Sequence, residues 1–102
     1  MWAQLITTRL QEGKGDEDLH RLFDQLEQSE QPDSGRVRAT AMRDDADPGR
    51  VLMLVVFESE EAARAREGDP RREEGLATAR ATMAEIFDGS PEFTDLTVVR
   101  EG

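Results

Sequence analysis

Residues 51–57, Val-Leu-Met-Leu-Val-Val-Phe, carry no polar side chain in a chain where 35% of residues are charged. A strand sends alternate side chains to opposite faces, so Val51, Met53, Val55 and Phe57 share one side while Leu52, Leu54 and Val56 share the other. The helices of a small domain can cover only one of these, and the chain holds no further element for the other. Burying a large apolar side chain stabilises by ~1.5–3 kcal/mol, so a wet second face forgoes roughly 5–10 kcal/mol. That is comparable with the whole stability of a small domain. The economical arrangement is a second copy packed sheet against sheet in a closed two-fold homodimer. The alternative is a central strand whose second face is only locally apolar.

The 102 residues read as one domain, residues 1–102, with no repeat, low-complexity segment or interdomain linker. A hydrophobic fraction of 36% with a formal net charge of −10 describes a globular, strongly acidic protein. That charge argues against nucleic acid and anionic membranes, which would repel it, and the arginines are scattered among carboxylates rather than gathered in a tract. The chain has no cysteine, which excludes disulfides and thiolate metal sites. No apolar run approaches the ~18 residues of a membrane span, and the start lacks the basic and apolar segments of an export signal. The expected location is the cytoplasm.

Around the apolar strand the chain alternates between periods of two and 3.6. Residues 2–10 read as a first strand. Residues 16–30 read as a helix with Leu19, Leu22, Phe23 and Leu26 on one stripe, its start favoured by Asp16, Glu17 and Asp18 at the positive helix end. Residues 37–43 form a second strand, and Asp44-Asp45-Ala46-Asp47-Pro48-Gly49 a hairpin loop into the third. Ser59 suits a helix cap; the short helix breaks at Gly68 and restarts at Asp69-Pro70, a capping residue followed by proline at the first helical position. Leu76, Ala79, Met83, Ile86 and Phe87 make the next stripe, and residues 93–100 a last strand. The order β-α-β-β-α-β is the ferredoxin-like α+β arrangement, with an antiparallel sheet, strands one and three central, and both helices on one face.

A chain of this length and order, whose third strand runs into Val55-Val56-Phe57-Glu58-Ser59-Glu60-Glu61-Ala62-Ala63-Arg64-Ala65, resembles the antibiotic-biosynthesis monooxygenase family. The resemblance spans nearly the whole chain, and its most specific part is the join of an aromatic strand end to an alanine-rich helix. It implies a dimeric α+β barrel. Members include cofactor-free oxygenases, haem-degrading enzymes and proteins of no known activity. The haem-degrading members use an asparagine late in strand one, a tryptophan after strand three and a histidine three turns on. The matching positions here are Thr8, Arg66 and Leu76, and the chain contains no asparagine, so that constellation is excluded. The quinone-forming members rely on asparagine, tyrosine and tryptophan; this chain has no tyrosine, and its one tryptophan is Trp2.

His20, the only histidine, flanks the Leu19/Phe23 stripe and reads as a boundary residue, with a general base at a pocket edge as the alternative. A lone histidine makes no metal site. Asp44, Asp45 and Asp47 do not form a calcium loop, because the twelfth position counted from Asp45 is Val56. Arg64, Arg66, Arg71 and Arg72 alternate with Glu67, Asp69, Glu73 and Glu74, which reads as a mutually neutralising surface. Arg66 alone falls at the family's pocket-facing position, where a guanidinium could hold an oxyanion by two parallel bonds. Phe23, Met42, Met53, Met83 and Phe57 are core residues first, with shapes that also suit a pocket for a flat apolar ligand; by the family match Thr8 joins them.

These features predict a homodimer that binds a small organic molecule between sheet and helices without a cofactor or metal. The rival is a cofactor-independent oxygenase or isomerase acting on an acidic aromatic or polyketide-like substrate, with Arg66 stabilising the enolate. A third possibility is a structural partner whose barrel is filled by side chains.

Overall fold

A computed structural model describes residues 1–102. Its elements are β1 (Trp2–Arg9), α1 (Asp16–Ser29), β2 (Arg36–Asp44), β3 (Asp47–Phe57), α2 (Glu60–Glu67), a 3₁₀ turn (Pro70–Arg72), α3 (Glu73–Ile86) and β4 (Glu92–Thr97). The four strands form one antiparallel sheet in the order β2-β3-β1-β4, the ferredoxin-like topology with β1 and β3 central.

Three boundaries differ from the sequence reading by more than one residue. The β2–β3 turn shrinks to Asp45-Ala46, because Asp44 accepts the Ala46 amide at 2.9 Å and pairs with Asp47. Proline at 70 starts a 3₁₀ turn rather than α3: Asp69 caps the Arg71 amide at 2.9 Å, and the regular helix opens at Glu73. The last strand stops at Thr97 instead of residue 100.

Beyond Thr97 the chain leaves the sheet. The Val98 amide donates to the Met1 carbonyl at 3.2 Å, and Glu101 accepts from Arg38 on β2, the opposite edge strand, at 2.7 Å. The C-terminal segment therefore crosses the outer face at one end, where the paired residues Ala3 and Val56 are buried. The expectation that no further element covers this face is corrected at that end. Leu5, Leu52 and Leu54 remain partly exposed on it, and Met42 is 43% exposed.

The inner face carries the core. Leu19 and Leu22 of α1 and Ala79 and Ile86 of α3 pack on Val51, with Phe23, Leu26, Met53, Met83 and Phe87 against them. A second cluster joins Trp2, Phe57 and Ala63 at the other end of the sheet. Between α1 and α3, the Gly75 backbone lies so close to Ser29 that an added Cβ would come within 2.7 Å of the serine Cβ. Gly35, at φ +78°, makes the tight entry into β2 beside Ala62, a conformation that L side chains rarely adopt.

Candidate cavity between sheet and helices

The helices leave both edge strands exposed: all of β4 and most of β2. The inward-facing β2 residues Ala39 and Ala41 are exposed, and behind them opens a cavity of about 500 Å³. This volume lies within the usual range for small-molecule sites. Ile6, Met53, Val55 and Phe57 line its sheet side, and Phe23, Leu26, Leu76 and Met83 its helix side. At one end the apolar wall gives way to Glu27, Arg36, Arg66 and Arg72.

Arg66 points inward. Its guanidinium lies 5.3 Å from the Phe57 ring centroid and grips Glu30 three times: Nε donates at 3.2 and 3.0 Å to the two carboxylate oxygens, and Nη2 at 2.7 Å. Both side chains are largely buried, at 17% and 10% exposure. Arg36 donates to Glu27 at 2.6 and 2.9 Å and stands 3.6 Å from Glu30. Burial alone would raise the Glu30 carboxyl. Hydrogen bonds from Arg66 and Ser34, with the charges of Arg66 and Arg36, outweigh it and hold the group below its ordinary value. Glu27 is lowered as well, chiefly by its bonds from Arg36.

Arg72 has no such partner. It is 7% exposed and no carboxylate lies within ion-pair distance of it; its Nη1 donates to the Arg66 carbonyl at 3.3 Å, and its buried Nε bonds to nothing. Burial and the neighbouring Arg66 charge lower its pKa.

Of the sequence candidates, Arg66, Phe57, Phe23 and Met83 meet around this cavity. Thr8 does not. It shares the inner face of β1 but sits past Ile6, opposite Val51, in the closed core, with its hydroxyl unpartnered. Met42 pairs with Leu52 and so faces the other side of the sheet, away from this cavity. His20 is exposed and lines a separate depression with Asp16, Arg43 and Asp45.

Sequence reasoning missed Glu30, Arg36 and Arg72, although two of them carried a signal. Arg72 continues the stripe of Leu76, Ala79, Met83 and Ile86 one turn upstream, and Glu30 follows Leu26 by four residues on the stripe of α1. The surface reading of the arginine run holds for Arg64 and Arg71 and fails for Arg66 and Arg72.

This architecture defines a ferredoxin-like α+β domain with a small-molecule-sized cavity under its helices. The chain belongs to the antibiotic biosynthesis monooxygenase family, whose model matches residues 1–77. Its fold is similar to that of a family protein from Nitrosomonas europaea, with a TM-score of 0.74 at 16% identity over 98% of this chain and 100% of that one. A second, from Caulobacter crescentus CB15, gives 0.75 at 19% identity over 97% and 90%. SnoaB, a cofactor-independent oxygenase from Streptomyces nogalater, gives 0.70 at 16% identity over 98% and 94%. No curated protein matches the chain by sequence.

Proposed function

We propose that the protein is a homodimeric member of this family that binds a small, flat organic molecule in the cavity. One observation carries the reading: a cavity of about 500 Å³ whose wall is adaptable methionine and aromatic side chains, ending in a buried charged cluster. A core meant only to be filled has no reason to bury ionic groups beside empty apolar space.

The likeness to SnoaB raises an oxygenase as the second reading. Such chemistry begins with removal of a proton from carbon, which needs a base near the substrate. The carboxylates at the charged end, Glu27 and Glu30, are bonded by arginines and held below their ordinary basicity. The histidine lies elsewhere. Binding without proton abstraction therefore fits the cavity better.

Thermal shift and calorimetry with three-ring aromatic compounds test the binding. Ala39→Trp places a large ring at the open side of the cavity from an exposed strand position, and should abolish binding while leaving the melting temperature unchanged. Equal binding by this variant would remove the cavity from the proposal. The assembly is tested separately. Leu54→Asp, opposite Leu5 on the outer face, should dissociate or unfold a dimer, because an unpaired carboxylate buried there costs several kcal/mol. Light scattering that shows a monomer for the wild type across the micromolar range would refute the dimer.

A further inference from the structure

We propose that Arg72 is the anion-receiving residue of the cavity, and that the ligand is a planar aromatic acid whose carboxylate it binds while the rings lie against Phe57, Met53 and Met83. The inference rests on the cavity being a binding site and names the chemical class that it takes.

The charges at the polar end of the cavity do not balance. Arg36, Arg66 and Arg72 bring three cations against the two carboxylates Glu27 and Glu30, and both carboxylates are engaged by Arg36 and Arg66. The other acid whose charge reaches Arg72 is Asp69, which is bonded at 3.0, 3.0 and 2.6 Å by Arg71 and held at about 2. Glu67, on the rim, is taken by Arg64 at 3.2 Å. Arg72 is left as a guanidinium of five N–H groups with one long bond to a carbonyl, more than nine-tenths buried, on the wall of an apolar cavity.

Such a group is costly in the empty protein and is relieved when a carboxylate enters. A carboxylate matches the planar donor fork, and low local dielectric strengthens the bond. Arg66 is the poorer anchor, since its Nε and Nη2 are already engaged by Glu30. The position of Arg72 is set by the capped 3₁₀ turn, whose Arg72 amide donates to the Asp69 carbonyl at 3.2 Å. In a chain of net charge −10, one unpaired buried cation beside a cavity selects for an anion locally.

The test compares naphthoic and anthracene carboxylic acids with their amides by calorimetry, on wild type, Arg72→Met and Arg72→Gln. Wild type should prefer each acid over its amide by about 10- to 100-fold, the range for a hydrogen bond to a charged group. Both variants should lose that preference and bind the amide as before, and Arg72→Met should melt at a higher temperature than wild type without ligand. If one variant fails to fold, the other carries the comparison. An acid preference that survives in the variants assigns the anion elsewhere and overturns the proposal. Equal binding of acid and amide by wild type overturns it too, while leaving the cavity as a binding site. Absence of binding by every compound, with Ala39→Trp indistinguishable from wild type, overturns both.

Discussion

Arg64 and Arg71 differ from Arg66 and Arg72 in what surrounds them, although all four come from one run of nine residues. Arg64 reaches Glu60, Glu67 and Asp95, and Arg71 reaches Asp33 and Asp69, with both side chains about half exposed. Arg66 and Arg72 turn under the helices. Exposed pairs gain little, because water competes for every bond and the long side chains lose freedom. A buried pair is coupled strongly to the fold, because removing one partner strands the other without water. The same residue type therefore serves as solvation at 64 and 71 and as a cavity wall at 66 and 72.

The largest effect that would break this comparison comes from removing one buried partner. Glu30→Leu leaves Arg66 without its carboxylate and should cost about 3–5 kcal/mol in urea unfolding. A loss under 1 kcal/mol would make the buried pair no different from the exposed ones. Removing both, in Glu30→Leu with Arg66→Met, should recover most of that loss, since an apolar pair of similar volume stabilises about as well as an ion pair. Failure to recover would mean that Arg36, left beside the altered site, also depends on Glu30.

A smaller effect concerns pH. Glu30 is held below its ordinary value of 4.5, so the folded state binds fewer protons there than the unfolded chain. Its contribution is fully present above 4.5 and is lost as pH falls through the folded value. The stability difference between wild type and Glu30→Gln should therefore be constant at neutral pH and shrink below 4.5, as followed by urea midpoints at successive pH values. A difference that grows on acidification would reverse the assignment. The smallest effect is at the surface: Arg64→Ala and Arg71→Ala should leave the unfolding midpoint within experimental scatter, the more so in high salt.

Much of the fold was legible because its determinants are local or periodic. The stripes of α1 and α3, Ser59 capping the Ala62 amide at 3.1 Å and the two-faced strand all act within a few residues. The site was legible in part. Phe57, Phe23, Met83 and Arg66 were found because they lie on core-facing stripes or at the aromatic strand end. Met42 was misplaced, since an edge strand whose inward residues are small alanines offers no apolar period to assign its faces. Arg72 and Glu30 were passed over because charge was taken to mean solvent, although both sit in register with apolar stripes.

By itself the sequence determined the element order, the sheet topology and the existence of a strand that is apolar on both faces. Alternation, capping and helical spacing decide these between near neighbours. Only the tertiary structure decided that the C-terminal segment crosses one end of the outer face, that β2 lies beyond the helices, and that Glu30 bonds Arg66 while Arg72 has no carboxylate. Those outcomes depend on distances between residues far apart in the chain, 36 positions for Arg66 and Glu30, and on which charges water can no longer reach.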